Sequence, residues 1–255
     1  MTKHYGLIGK SLDHSLSAAH FNTKFKNMGI DAVYSLYPIS SIDELPALIA
    51  ENQHLTGLNI TIPYKQQVWR YLNEVDFVAN MIGAVNTVTI RRDTNGIPYL
   101  KGYNTDALGF EQSLKEVLKC RKCGIKALVL GTGGAAKAVK YVLRRLCIPY
   151  LSVDRSRIKS DQITYNFVNP YTIEEYKLII NTTPLGMYPL FVGQAPELPY
   201  DRLTSDHILY DLVYNPEDTA FLQHGINHGS TIITGKKMFL YQAENAWKIW
   251  QKHQT

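Results

Sequence analysis

Two groups of residues in this 255-residue sequence have types and spacings suited to chemistry. The first is a turn. Gly131-Thr132-Gly133-Gly134-Ala135-Ala136 fits G-x-G-x-x-A, directly after the apolar run Ala127 to Leu130 and ahead of Ala138, Val139, Val142, Leu143 and Leu146 at helical period. Strand, glycine turn and helix in that order hold a dinucleotide, because Gly131 allows the tight turn, Gly133 lets the backbone approach a pyrophosphate and Ala136 lets helix and strand pack. The helix N-terminus then faces the negative phosphates. A plain structural turn is the alternative reading of the same glycines. About 20 residues further on, the strand Tyr150 to Val153 ends at Asp154-Arg155-Ser156-Arg157, where an adenosine ribose would lie. Asp154 suits the ribose hydroxyls of NAD, whereas Arg155, Ser156 and Arg157 offer the cationic fork and hydroxyl that the 2′-phosphate of NADP requires. The expected cofactor is NADP, with NAD possible; a solvated charged turn is the third reading.

The second group consists of polar residues in the first half. Ser15 and Ser17 stand near the expected start of a helix. Their hydroxyls, unpaired backbone N–H groups and the positive dipole end there hold a carboxylate, or either serine serves as an ordinary N-cap. Asn59 and Thr61 share one face of a strand by its period of two, and Lys65 follows at the expected start of the next helix. Asn86 closes the run Gly83-Ala84-Val85, and Asn104-Thr105-Asp106 opens a helix that leads toward the glycine turn.

The elements that must position these groups alternate short β-rich runs with helical ones, the pattern of an α/β protein. Strands are expected over Tyr5 to Gly9, Val33 to Ile39 and Leu58 to Ile62, with helices carrying Ala18, Phe21, Phe25 and Met28, then Ile42 to Glu51, then a third after Pro63. Asn95-Gly96 marks a hairpin between Ala84 to Ile90 and Tyr99 to Tyr103. Ala107, Phe110, Leu114 and Val117 lie on a helix, and the chain divides near Thr105. Phe239, Leu240, Ala243, Trp247 and Trp250 form a last helix, apolar on more than one side, that folds back on the first lobe. The expected architecture is an N-terminal α/β substrate domain, residues 1–104 with the terminal helix 237–255, and a Rossmann-type dinucleotide-binding domain over 105–236.

At 45% hydrophobic and 19% charged residues the chain can bury a sizeable core. The net charge of +5 is scattered, without basic blocks interleaved with aromatics, which argues against nucleic-acid binding. No run reaches the roughly 20 apolar residues of a membrane span. Cys120, Cys123 and Cys147 are odd in number and set up no disulfide framework, and the start of the chain lacks a signal-peptide run, so a cytoplasmic protein is expected. Cys120-Arg121-Lys122-Cys123 has no second Cys or His pair at metal-ligand spacing, and no metal is expected.

These motifs, in order over nearly the whole chain, resemble the shikimate dehydrogenase family. The matching stretches are Gly9 with His14-Ser15-Leu16-Ser17, Asn59 to Lys65, Gly83 to Thr87, Asn104 to Asp106, the glycine turn, Asn181-Thr182-Thr183-Pro184-Leu185-Gly186-Met187, Asp211 to Pro216, and Gly235 with Met238 and Gln242. The resemblance implies reversible NADPH-linked reduction of the carbonyl of 3-dehydroshikimate to shikimate, a step of aromatic amino acid biosynthesis, by a monomer or homodimer. It implies that Ser15 and Ser17 bind the ring carboxylate, that Asn59, Thr61, Asn86, Tyr214 and Gln242 meet the ring hydroxyls and pocket edges, and that Lys65 and Asp106 lie at the reacting carbon. Thr182, Thr183, Met187, Leu212 and Gly235 would line the nicotinamide end. The chemistry agrees: hydride arrival at a carbonyl creates alkoxide character, which Lys65 can meet with charge and a proton while Asp106 holds the ammonium. Interacting groups titrate as a pair, so sequence leaves open which of the two moves the proton.

The chain departs from the family pattern in three places. Lys159 to Thr172 is short and β-rich where relatives carry a helix, Asp154 replaces a common Asn, and Lys236-Lys237 follows Gly235 where smaller residues are usual. An NAD-dependent quinate/shikimate dehydrogenase and a non-catalytic dinucleotide-sensing member are the alternatives; Asp154 favours the first, and the presence of both Lys65 and Asp106 opposes the second.

Overall fold

The computed structural model describes residues 2–13, 15–118, 124–155 and 162–252. The chain divides into two compact units, residues 1–105 with 243–255, and residues 106–242.

In the first unit the elements are β1 (Lys3–Gly9), α1 (Ser17–Met28), β2 (Ala32–Pro38), α2 (Leu45–Glu51), β3 (Leu55–Ile60), β4 (Glu74–Val75), α3 (Phe77–Ile82), β5 (Thr87–Arg92) and β6 (Pro98–Tyr103). They form one mixed sheet in the order β2-β1-β3-β5-β6-β4. β1 runs parallel to β2 and β3, while β5 is antiparallel to both β3 and β6. The Asn95-Gly96 hairpin is present, with Gly96 at φ +80°, a conformation that glycine adopts without a Cβ clash. Side-chain alternation along β1 sends Ile8 to a core with Ile42, Leu45, Leu58 and Val88, and Tyr5 and Leu7 to a second core. That second core takes Phe21 and Phe25 from α1 and Ala243, Ala246, Trp247 and Trp250 from the last helix, so the end of the chain does pack on the first sheet. Trp250 Nε1 donates to the Val88 carbonyl at 3.0 Å, and its ring lies where a Cβ at Gly57 would be, only 2.4 Å from Nε1.

The expected helix after Pro63 is not an α-helix. Residues 62–66 form consecutive turns and Gln67–Tyr71 a 3-10 helix. The chain must be extended again at β4 by Glu74, which leaves room only for a short piece, and 3-10 geometry serves such pieces. Lys65 therefore sits in a turn and not in a first helical turn. β4 and α3, which the sequence reading passed over, follow. Asp76 caps α3 by accepting from the Val78 N–H at 2.9 Å, and Gly83 ends it at φ +73°.

The second unit contains α4 (Asp106–Leu118), β7 (Ala127–Leu130), α5 (Gly134–Arg145), β8 (Tyr150–Asp154), β9 (Gln162–Thr164), α6 (Pro170–Glu175), β10 (Leu178–Asn181), β11 (Ile208–Asp211), α7 (Ala220–Asn227), β12 (Thr231–Ile233) and the start of α8 (Gly235–Lys252). Its six strands are all parallel, in the order β12-β11-β10-β7-β8-β9. The chain winds outward from β7 to β9, returns to β10 beside β7 and winds the other way, the doubly wound Rossmann-type arrangement. The β-rich stretch after Asp154 supplies β9, a 3-10 turn at Tyr165–Phe167 and the two-turn helix α6. No helix among the described residues is long and apolar enough to cross a membrane. Cys120 and Cys123 lie outside the described residues, and Cys147 is an exposed free thiol.

Candidate active site

The reversal of strand order falls between β7 and β10, whose ends pair as Leu130 with Asn181. Ligands of open parallel sheets bind at the carboxyl ends of strands at such a point. Gly131 leaves β7 with φ +104°, its N–H donating to the Val153 carbonyl at 2.9 Å, and a Cβ there would stand 2.7 Å from Thr182 Oγ1. The positive φ and the close approach of Thr182 both require glycine. Thr132 follows, and Gly133 is the N-cap of α5 with no side-chain cap, so Gly134, Ala135 and Ala136 begin the helix with uncapped N–H groups. A Cβ added at Gly133 would meet no heavy atom within 4 Å, whereas Ala136 is fully buried against the sheet. The turn thus has the features a pyrophosphate needs: an approachable backbone, a cluster of N–H donors and a helix packed close behind them.

At the carboxyl end of β8, Asp154 accepts from Thr132 Oγ1 at 2.9 Å, so the carboxylate is tied to the glycine turn. Arg155 is exposed beside it; Ser156 and Arg157 lie outside the described residues. Tyr165 is a further neighbour that sequence reading did not single out. Burial pushes its phenol up to about 12, opposed by Arg155 and aided by Asp154, and its buried hydroxyl has no hydrogen-bond partner among the described residues.

Past β10, Thr182 donates from Oγ1 to the Leu130 carbonyl at 2.5 Å, and Thr183 donates from both N–H and Oγ1 to Asn181 Oδ1 at 3.0 and 2.6 Å. Asn181 Nδ2 donates to Asp211 Oδ1 at 3.0 Å, which also accepts from the Val213 N–H at 3.0 Å; Oδ2 accepts from Thr219 Oγ1 at 2.7 Å. This network fastens the loops after β10 and β11, where Met187 and Leu212 lie half-buried. Burial raises the Asp211 carboxyl to about 7, although all three donors favour its charged form. Gly235 is a glycine because a Cβ would stand 2.4 Å from the Leu212 carbonyl oxygen and 2.6 Å from that of Val213. The chain's own backbone is what comes close there.

In the first unit, Asn59 and Asn86 are buried and joined. Asn59 Oδ1 accepts from the Tyr34 hydroxyl at 2.8 Å, and its Nδ2 donates to the Asn86 carbonyl and Thr87 Oγ1, both at 3.2 Å. Asn86 Oδ1 accepts from the Thr105 N–H at 2.7 Å and its Nδ2 donates to Thr105 Oγ1 at 3.0 Å. Thr61 lies one residue beyond β3, yet its N–H still continues the ladder to the Ile8 carbonyl at 2.9 Å. Gly9 accommodates it, since a Cβ there would be 2.5 Å from Thr61 Cγ2. The helix starts where the sequence puts it: α1 begins at Ser17, Leu16 occupies the N-cap position, and Ser15 Oγ accepts from the Ser17 N–H at 3.2 Å. Ser15 thus does the work of a cap while both hydroxyls stay at the helix mouth; His14 lies outside the described residues.

Lys65 is half-buried in its turn, with its carbonyl accepting from the Val85 N–H at 2.8 Å, which ties that turn to the segment before Asn86. Asp106 belongs to the second unit as the first residue of α4, and its side chain is buried. Asn104, just before it in the first unit, donates to the Ala84 carbonyl at 2.8 Å. Tyr214 stacks on Phe239 at 4.7 Å, and Gln242 lies on the face of α8 that meets α4 at Gly109, where a Cβ would be 2.9 Å from the Gln242 nitrogen. Sequence reading assigned no part to Tyr34, Thr87, Thr105, Asn181, Asp211 or Thr219. The available signal was a polar residue closing an apolar strand run, as in Leu178-Ile179-Ile180-Asn181 and Ile208-Leu209-Tyr210-Asp211.

Comparison with known proteins bears on this arrangement. The sequence profile of the shikimate dehydrogenase substrate binding domain matches residues 7–88. A protein of Carboxydothermus hydrogenoformans named shikimate dehydrogenase (NADP(+)) is 37% identical over 265 residues, covering 98% of this chain and 91% of that protein. Among solved structures, shikimate dehydrogenase 1 of Peptoclostridium difficile has a TM-score of 0.84 at 32% identity, covering 100% of this chain and 93% of that one. A quinate dehydrogenase of Corynebacterium glutamicum, solved in complex with NAD, has a TM-score of 0.80 at 29% identity over 98% of this chain and 94% of its own. With a relative this similar over nearly its full length, the chain belongs to the shikimate dehydrogenase family.

Proposed function

We propose that the chain catalyses the reversible reduction of 3-dehydroshikimate to shikimate with NADPH. The observation that carries this reading is the 37% identity, over 98% of the chain, to a relative bearing that activity and cofactor in its name. Gly131, Gly133 and the uncapped N–H groups of Gly134, Ala135 and Ala136 bind the pyrophosphate, and Thr132 with Asp154 and Arg155 forms the adenosine end. Thr182, Thr183, Met187, Leu212 and Gly235 border the nicotinamide end, at the edge of the sheet after β10 and β11. NADP(H), when bound, supplies or accepts the hydride.

The substrate is a small anionic ring, held at its carboxylate by Ser15 and Ser17 at the mouth of α1 and at its hydroxyls by Asn59, Thr61, Asn86, Tyr214 and Gln242. Because Asn59 and Asn86 are held by Tyr34, Thr87 and Thr105, their amides meet the ring already oriented, and little ordering remains to be done on binding. Lys65 Nζ stabilises the growing negative charge on the carbonyl oxygen and provides its proton, and the Asp106 carboxylate holds the ammonium and hydrogen-bonds a ring hydroxyl. In the oxidative direction the same pair accepts the alcohol proton.

The Thr132–Asp154 bond favours one second reading, an NAD-dependent quinate/shikimate dehydrogenase, because it fixes a carboxylate where the ribose hydroxyls of NAD would be recognised. A single experiment tests both. Reduced-nicotinamide absorbance is followed with shikimate and with quinate, under NADP and under NAD. Fastest turnover with shikimate and NADP supports the first reading, preference for NAD or quinate supports the second, and no turnover in any pairing refutes both.

A further inference from the structure

The hydroxyl protons at the carboxyl edge of β10 are both committed to the protein. Thr182 Oγ1 lies 2.5 Å from the Leu130 carbonyl oxygen, which can only accept, so the hydroxyl donates. For Thr183 the direction follows from Asn181. One end of that amide faces the Thr183 backbone N–H at 3.0 Å, a pure donor, and is therefore the oxygen. The other end faces the Leu185 carbonyl at 3.2 Å and Asp211 Oδ1 at 3.0 Å, and is therefore the nitrogen. Asp211 Oδ1 already accepts from the Val213 N–H, so it meets Asn181 as an acceptor whether or not Oδ2 carries a proton. Thr183 Oγ1, 2.6 Å from the amide oxygen, must donate to it.

Thr183 Oγ1 also accepts from the Leu185 N–H at 3.3 Å, so what remains for a group beyond the protein is one lone pair on Thr183 and lone pairs only on Thr182. Both threonines also abut the glycine turn, since a Cβ at Gly131 would lie 2.7 Å from Thr182 Oγ1 and 3.2 Å from Thr183 Cγ2. The start of α5, by contrast, offers only N–H donors. The glycine turn therefore lies between N–H donors suited to phosphate oxygens and hydroxyl acceptors that disfavour them.

Resting on the dinucleotide reading above, we propose that Thr182 and Thr183 accept hydrogen bonds from donor groups of the nicotinamide half of the cofactor, its carboxamide NH2 or its ribose hydroxyls, and turn phosphate oxygens away.

The test is calorimetric binding of NADP+ to the whole protein and to Thr182→Val, Thr183→Val and the matching serine variants, with thermal unfolding run on each. At least one valine variant should bind about 5-fold or more weakly, the size of one lost hydrogen bond, while its serine counterpart stays within about twofold of wild type. Repeating the titration with the 3-acetylpyridine analogue, in which a methyl replaces the amide NH2, identifies the donor. A valine penalty that vanishes with the analogue assigns the carboxamide, and one that persists assigns a ribose hydroxyl. Valine variants that bind NADP+ as well as or better than wild type overturn the inference alone; a wild-type protein that binds neither NADP+ nor NAD+ overturns the dinucleotide reading and this inference with it.

Discussion

Replacing Asp211 by Asn should remove a pH dependence of stability that the fold builds into its second unit. Asp211 is fully buried, and burial raises its carboxyl from 3.8 to about 7. Between those values the folded protein keeps a proton that the unfolded chain has released. The group's contribution is therefore fully present below 3.8 and is lost as pH rises through about 7. A shift of roughly 3 units corresponds to about 4 kcal/mol. Asparagine fits the site, because its amide oxygen at the Oδ1 position still accepts from Val213 and Asn181, and its NH2 faces Thr219 Oγ1, which can turn to accept. Guanidinium unfolding of wild type and Asp211→Asn at steps from roughly pH 4 to pH 8 reads the difference. That difference should move by about 4 kcal/mol in favour of the variant as pH rises. Buried His207, whose pKa is lowered chiefly by burial, adds the opposite slope: its contribution is present above 6.5 and lost as pH falls. It is common to both proteins and cancels. Parallel stability curves for the two proteins would show that Asp211 holds no proton in the folded state near neutral pH.

Three further outcomes follow from the geometry. Gly57→Ala must displace the buried Trp250 ring and should destabilise the first unit by about 1–3 kcal/mol, read by chemical denaturation; an unchanged midpoint would contradict the packing described. Asp154→Asn keeps an acceptor for Thr132 Oγ1 but removes the negative charge beside the ribose corner, and should raise the NADP-to-NAD ratio of kcat/KM by about 10-fold, the effect of one nearby charge. Tyr34→Phe frees Asn59 Oδ1 from its partner and should raise KM for shikimate more than it lowers kcat, which steady-state kinetics can separate.

What the sequence made legible were residues whose identity is forced locally. Gly131 needs a positive φ, Gly133 open space and Ala136 a close helix contact, and each need shows in the residue type itself. Parallel strands buried on both sides announce themselves as short apolar runs, which is why β7, β8 and β10 were found. The helix after Pro63 misled because Val68, Trp69 and Leu72 imitate a helical period, while the constraint that prevents it, the pairing of β4 with β6, is made nearly 30 residues away. α3 carried its signals in Asp76 and Gly83 but, at six residues, is too short to show a period. The networks about Asn59 and Asp211 were out of reach for a different reason. Tyr34, Asn59, Thr87 and Thr105 meet only through sheet register, as do Asn181 and Asp211, and register is a property of strand pairing that no single segment displays.

On the proposed function, Lys65 together with Asp106 handles the proton of shikimate oxidation. The most direct test is the turnover number of Lys65→Ala with saturating shikimate and NADP, measured beside calorimetric binding of NADP+. A fall of about 100-fold or more in kcat is expected, with cofactor affinity within about twofold of wild type. A turnover number near that of wild type would contradict it.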